Sequence, residues 1–344
     1  MKTPRHLLLP VSWLYAAIVA ARNHCYDSGI FSVTAVGTPV ISVGNITAGG
    51  TGKTPLVEFI VATLLGAGAR PAVLSRGYRR TTRGTLTVSD GASVRAGADR
   101  AGDEPAQIAR KFPGCVVVVD EDRVRGARFT ESEFHPDVIV LDDGFQHRAL
   151  RRDLDIVVLG DETAGPDQAL LPAGNGREPA RALGRADLLV LNRRSGAGHH
   201  GVEGKPVIRM RYELKRFSAE APGIEVGCGE LLAGRFVAFC GIGNPGSFLE
   251  ILAGLGLKPE SFLIYPDHHR YGERDVIKIA GALERTGAKY VLTTEKDAVR
   301  PEGGTMPQVP FRPRMVVAVI GAVIAEGAEI LERAVLGAAG RRAS

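Results

Sequence analysis

Residues 43–60 read VGNITAGGTGKTPLVEFI, a β-branched run that passes through glycines into Lys53-Thr54 and an apolar, helix-like segment. A loop that grips phosphate needs such an order. A strand delivers the chain, glycines let backbone N–H groups close around phosphate oxygens, a lysine meets the β- and γ-phosphates, and a hydroxyl reaches Mg²⁺. Thr47, Ala48, Gly49, Gly50, Thr51, Gly52, Lys53 and Thr54 are the expected nucleotide-binding residues. The common pattern begins with glycine where this chain has Thr47, yet three glycines remain beside the phosphates. Pro55 suits a first helical turn, where its missing N–H has no intrahelical partner to lose.

Working outward, the runs PVISVGN, PAVLSRG, CVVVVDE, DVIVLDD, LDIVVLG and DLLVLNR are short, β-branched and continuous rather than alternating. Strands covered on both faces of a parallel sheet read this way. Helical patterns separate them, so the expected class is α/β: a P-loop-type three-layer α/β/α nucleotide-binding domain with a second, smaller α/β domain and an N-terminal membrane-interface helix. The pattern restarts after residue 220 with RFVAFCGIGNPGSFLEILAGLG. The expected division is therefore 1–35 as an amphipathic membrane-interface segment, 36–220 as the P-loop core domain and 221–344 as a smaller C-terminal α/β domain. The 344 residues, 44% of them hydrophobic, suffice for two cores.

Four cysteines lie scattered without metal-ligand spacing, as in a reducing cytoplasm. A net charge of +5 favours anionic partners without choosing among them. The apolar run from Leu7 to Ala21 is shorter than the roughly 20 residues of a membrane span, and Pro10 interrupts it. It also lacks a good signal-peptide cleavage site. Basic residues Lys2, Arg5 and Arg22 around Trp13 and Tyr15 suit a helix lying in the membrane interface, or equally one docked on the core.

A phosphate loop calls for an acid at the tip of a neighbouring strand, and VIVLDDGFQH offers Asp142 and Asp143. Asp142 is assigned to Mg²⁺. In GDEP, Asp103 and Glu104 sit where a helix would start; either carboxylate could simply favour the helix dipole, but a transferase acting on a hydroxyl needs a base, and Asp103 is the candidate. YPDHHRYG adds Asp267, His268 and His269, a group able to orient or tune such a base.

The motifs VGNITAGGTGKTP, LSRGYRR, GDEP, LDDGFQH, LLPAG, REP, GIGNPGSF, PDHHRY and TTEKDAVR, in this order over nearly the whole chain, resemble the tetraacyldisaccharide 4'-kinase family, the lipid A 4'-kinases. The resemblance implies two α/β/α domains joined by a β-stranded linker, peripheral to the cytoplasmic face of the bacterial inner membrane. It implies transfer of the ATP γ-phosphate to the 4'-hydroxyl of a tetraacyl disaccharide 1-phosphate, with ATP and Mg²⁺ as cofactors, the lipid A disaccharide precursor as partner, and no nucleic acid or obligatory protein partner. Carried over by motif, Asp103 and His268 form a catalytic dyad with Asp143 beside it, Thr54, Asp142 and Glu104 serve the metal, and Arg76, Gln146 and His147 contact substrate. His268 is preferred to His269 because it follows Asp267 directly. Asn175-Gly176 departs from the Pro-Leu pair that usually precedes Arg-Glu-Pro. A membrane-associated ATPase switch, the alternative class, would carry lysine where Ala48 stands, and a GTPase would separate Lys296 from Asp297 by one residue. An aromatic content of 6% gives little to an RNA-binding reading.

Overall fold

The computed structural model describes residues 5–48, 51–160, 169–192, 204–219, 225–298 and 315–340. The β-branched runs become strands β1 (Val40–Gly44), β2 (Pro71–Ser75), β4 (Val116–Val119), β5 (Val138–Asp142), β6 (Leu154–Gly160) and β7 (Leu188–Asn192), with β3 (Leu86–Asp90) between β2 and β4 in the chain. Then follow β8 (Val207–Ala219), β9 (Glu225–Val226), β10 (Phe236–Cys240), β11 (Ser261–Ile264), β12 (Tyr290–Thr294) and β13 (Met315–Glu326). The described helices are α1 (Leu9–Asp27), α2 (Lys53–Gly66), α3 (Ala98–Ala101), α4 (Asp103–Lys111), α5 (Arg123–Phe134), α6 (Cys228–Ala233), α7 (Pro245–Gly254), α8 (Glu273–Thr286), α9 (Glu295–Ala298) and α10 (Ala328–Gly340).

All these strands join one mixed sheet, ordered β11-β10-β12-β13-β8-β7-β6-β1-β5-β2-β4-β3 with β9 alongside β8. Two parallel blocks meet in it. From β2 to β8 the neighbours run parallel, and so do β10 to β13, but long β8 and long β13 pair antiparallel. Residue 220 thus follows the last residue of a strand that hydrogen-bonds the second block. Every residue of β1, β2, β5 and β10 is buried, as continuous apolar strands require when helices cover both faces. On one face Leu56, Ile60 and Leu64 of α2 share a core with Leu331 and Val335 of α10, so the terminal helix returns to the first block. On the other, Ala127 of α5 packs with Leu74, Ile139 and Leu150.

The blocks are also braced by charge. Lys111 Nζ on α4 lies 2.7 Å from Glu58 Oε2 on α2 and 3.1 Å from Glu295 Oε1 on α9. Burial opposes the ammonium, but the two carboxylates outweigh it and hold its pKa above the usual value.

Helix α1 lies against the first block by polar contacts. Ser12 Oγ donates to Leu170 O at 3.0 Å and accepts from Ala173 N at 2.9 Å, and Tyr15 Oη donates to Arg177 O at 3.1 Å. Trp13, Leu14 and Ile18 remain exposed by 68, 63 and 59%. Among the described residues no helix is long and apolar enough to cross a membrane.

Candidate active site

β1 ends on Gly44 because the chain passes Phe145, whose Cβ would lie 2.5 Å from a Cβ placed there. The loop then rises to Gly52, the residue before α2, in the left-handed region at φ 96°. A Cβ at Gly52 would stand 1.5 Å from the Tyr212 hydroxyl of β8 and 2.7 Å from Asn192 Nδ2 of β7. Only glycine fits there. Side chains and backbone hold the rest of the loop: Asn45 Nδ2 donates to Thr51 Oγ1 and Asn192 Nδ2 to Thr51 O, both at 2.9 Å, and Ala48 N donates to Asn175 O at 2.6 Å. Thr47 bridges Gly176. The Asn175-Gly176 departure therefore supports the loop through its main chain. Gly49 and Gly50 lie outside the described residues. Lys53 and Thr54 open α2, whose first N–H groups face the loop, an arrangement suited to anions.

Because β1 and β5 are paired with Val43 opposite Asp142, the two neighbouring acids arrive beside that helix start. Asp142, buried at 3% exposure, accepts from Ser75 Oγ at 3.2 Å. Burial and the charges of Glu104 and Asp143 push its pKa up to about 7, against the pull of Lys53 and Arg123. Asp143 adopts φ 57°, which turns its carboxylate toward Lys53 Nζ at 3.4 Å and Arg177 NH1 at 2.8 Å. Desolvation would raise its pKa, but Lys53 and Arg177 hold it below the ordinary carboxylate value. Two adjacent aspartates are thus driven in opposite directions.

Beneath them lies Arg123, 2% exposed, whose Nε and one terminal nitrogen have no hydrogen-bond partner among the described residues. Burial brings it down to about 10, while the charges of Asp142 and Asp143 favour its cation. His147 is pushed down to about 4 by burial and by the charge of Arg123, with Arg76 adding to the effect, so it is neutral at neutral pH. Arg76 itself is exposed on the turn after β2. Gln146 is tied inward: its Nε2 donates to Asn45 O at 2.8 Å and Glu178 Oε1 at 3.1 Å, anchoring the base of the loop after β1.

The base candidate comes from two blocks. Asp103 is the first residue of α4, delivered by Gly102 at φ 94°. His268 reaches it from the loop between β11 and α8, with Nδ1 2.9 Å from Asp103 Oδ2. That loop is held open by a left-handed His268 at φ 60°, by His268 N donating to Gly241 O at 3.2 Å, and by Tyr78, whose ring meets the imidazole edge-on at 5.3 Å. Buried Asp297 backs the same loop, accepting from Gly241 N at 3.1 Å and from Tyr271 Oη at 2.9 Å. His269 points elsewhere, its Nε2 2.9 Å from Asp275 Oδ2 and its ring stacked on Tyr265 at 4.8 Å. Glu104 faces Lys296 at 3.7 Å.

A cleft of about 250 Å³ opens between the blocks, lined by Gly52, Lys53, Thr54, Glu104, Tyr212 and Lys296, with Ile242, Ile251 and Ile320 as its apolar wall. A second cavity, of about 660 Å³, borders Asp103 and His268 and is walled by Tyr78, Arg79 and Arg270. Lys53, Thr54 and Glu104 line the first, with Asp143 3.4 Å from Lys53 and Asp142 beside it in the chain. Sequence reasoning passed over Asn45, Arg123, Arg177, Asn192 and Tyr212 as site residues, and Lys296 beyond its use against a GTPase. Asn45, Arg177 and Lys296 lie within the quoted VGNITAGGTGKTP, REP and TTEKDAVR motifs. Arg123, Asn192 and Tyr212 carry no local signal, since each acts from a neighbouring strand or helix.

A family model described as tetraacyldisaccharide-1-P 4'-kinase matches residues 4–336. A protein of Chlorobaculum parvum named tetraacyldisaccharide 4'-kinase is 42% identical over 305 residues, covering 86% of this chain and 83% of its own. Its namesake in Aquifex aeolicus is 38% identical over 302 residues, covering 87% and 90%. A crystal structure described as the "apo" form of LpxK from Aquifex aeolicus in complex with ATP superposes with a TM-score of 0.81 at 34% identity, over 98% of this chain and 99% of that one.

Proposed function

The chain belongs to the tetraacyldisaccharide-1-P 4'-kinase family, and from that premise we propose that it transfers the γ-phosphate of ATP to the 4'-hydroxyl of a tetraacyl disaccharide 1-phosphate, making the 4'-phosphorylated lipid A precursor. The observation that carries the chemistry is the Asp103–His268 contact of 2.9 Å on the larger cavity, whose chain neighbours Glu104 and Asp267 line the Lys53 cleft, since a kinase needs a proton acceptor near its phosphate cradle.

ATP enters the cleft between the blocks. Residues 47–54 cradle its phosphates, Lys53 neutralises charge on the transferring group, and the isoleucine wall suits the base. Glu104, Asp142 and Thr54 offer hard oxygen donors, and the raised pKa of Asp142 marks carboxylates crowded where a cation is wanted. When bound, Mg²⁺ would offset charge on the β- and γ-phosphates. Asp143, held as an anion by Lys53 and Arg177, keeps that lysine aimed at the cleft. The acceptor hydroxyl gives its proton to Asp103 as its oxygen bonds to the γ-phosphorus and the bond to ADP breaks. Arg76 and His147 flank the cluster on the acceptor's side, while Gln146 supports the loop.

Residues 36–220 act as the nucleotide-binding unit and 221–344 as the smaller unit that brings His268, with α10 packed back on the first. The exposed Trp13, Leu14 and Ile18 of α1 suit a helix lying in the interface of the inner membrane's cytoplasmic face, where the acyl chains of the acceptor reside. The test is transfer of labelled phosphate from ATP to a panel of acceptors. Label on the lipid disaccharide in preference to water or protein supports a lipid kinase, whereas release as free phosphate alone supports the ATPase switch.

A further inference from the structure

Lys296 stands at the join of the two blocks, with its Nζ 3.3 Å from His268 Nε2, 3.3 Å from Asp267 Oδ1 and 3.7 Å from Glu104 Oε1. Its side chain is 20% exposed and that of His268 12%, so water screens the contact only partly. We propose that Lys296 is a positioning residue that fixes the tautomer of His268, and thereby keeps Asp103 ready to take a proton; this rests on the reading of Asp103 as the base.

The chemistry of the donors decides the arrangement. An ammonium has three donors and no acceptor, so the ring nitrogen facing it must offer its lone pair. Nε2 is then bare and the ring proton sits on Nδ1, aimed at Asp103 Oδ2 at 2.9 Å. That is the arrangement in which the carboxylate oxygen accepts a hydrogen bond from the ring. The opposite tautomer sets a bare Nδ1 against a carboxylate oxygen and an N–H against an ammonium. An imidazolium sets two positive groups 3.3 Å apart.

A competitor explains why a lysine is needed. Asp267 Oδ2 is 3.8 Å from His268 Nε2, just beyond hydrogen-bond reach, and its other oxygen is held by Lys296. With Lys296 present the carboxylate is occupied. Without it, Asp267 is placed to draw a proton onto Nε2, leaving Nδ1 either bare or part of a charged ring. His268 therefore orients Asp103 and does not act as the terminal base, because the nitrogen facing the carboxylate already carries its proton.

The experiment is nitrogen-15 NMR of the full chain labelled at histidine, with His268→Gln identifying the His268 signals, combined with steady-state kinetics. The wild type should show His268 protonated at Nδ1 alone. In Lys296→Met the ring should become protonated at Nε2, kcat should fall about tenfold, and KM for ATP should change less than about twofold. Lys296→Arg should keep the wild-type tautomer. Lys296→Met/Asp267→Asn should regain Nδ1 protonation, since the rival carboxylate is gone, and this variant also serves if the single one folds poorly. An Nδ1-protonated ring in Lys296→Met overturns the proposal, as does a rise in KM for ATP at constant kcat, which would make Lys296 a nucleotide contact. Wild-type turnover in Asp103→Asn would instead defeat the base assignment while leaving the tautomer result standing.

Discussion

The two halves of the proposed site, a phosphate side on the cleft and a base side on the larger cavity, are built in different ways. On the phosphate side, Asp142 and Asp143 come from the end of β5 and Lys53 from the helix that follows β1, the two strands being hydrogen-bonded neighbours in fixed register. On the base side, Asp103 and His268 are 165 residues apart, and each comes from a different block. The first arrangement is set once the central sheet forms. The second exists only while the blocks stay docked, through the β8–β13 seam, the Glu58–Lys111–Glu295 brace and the contacts of Lys296. Binding of phosphate and activation of the acceptor should therefore separate under mutation.

The largest effect is expected on the phosphate side. Lys53→Ala should lower phosphoryl transfer about 10³-fold or more with an unchanged thermal melt, because the ammonium acts on charge in the cleft and is absent from the core. A near-normal rate in that variant would remove the phosphate side from the comparison altogether. On the base side, Asp103→Ala and His268→Ala should each lower kcat about 10²-fold, with the double variant little worse and ATP affinity unchanged. Simple addition of the two losses would show that the blocks contribute independently. His269→Ala should leave kcat within about twofold and cost on the order of 1 kcal/mol of stability, since that ring bonds Asp275.

A smaller effect sharpens the phosphate side. The Asp142 carboxyl titrates near 7 in the fold against an ordinary 3.8, so the fold favours its protonated form. Stability from this group is full below about pH 4, declines as pH rises through 7, and is flat above. Because His147, held down to about 4, gains stability over the same range, the readout is a difference between variants: without Mg²⁺ or nucleotide, urea melts should show the wild type losing on the order of 2 kcal/mol more than Asp142→Asn between pH 5 and pH 8. Asp143→Asn should retain that loss, since Asp143 is shifted the other way. Equal slopes in wild type and Asp142→Asn would show that the acids are not crowded. Least of all should the cleft feel the outer face of α1. Trp13→Ser/Leu14→Ser should cut binding to anionic vesicles about tenfold while leaving kcat on a detergent-dispersed acceptor within about twofold. A matching fall in kcat would tie α1 to the loop after β1 through Ser12, Tyr15 and Arg177.

Most of the first block was legible in the sequence, because parallel strands covered on both faces need unbroken β-branched runs, and six such runs became the six central strands. Edge strands were not. β3 (LTVSD) pairs antiparallel with β4 and mixes polar with apolar residues, so it carries no such run. The pairing of β8 with β13 was equally hidden, since register between segments a hundred residues apart leaves no local pattern.

Within the site, sequence alone marked the chemistry that one turn of chain can encode: glycines and Lys53-Thr54 before a helix, an acid pair after a strand, an acid opening α4. Tertiary structure decided what depends on a neighbour. It chose His268 over His269 by turning one ring toward Asp103 and the other toward Asp275. It also made Asp142 and Asp143, identical residues side by side, into opposites, because one carboxyl faces burial and Glu104 while the next, turned by a left-handed backbone, faces Lys53 and Arg177. A residue's type fixes which proton it can carry, but the field that sets when it carries it comes from groups that only folding brings near.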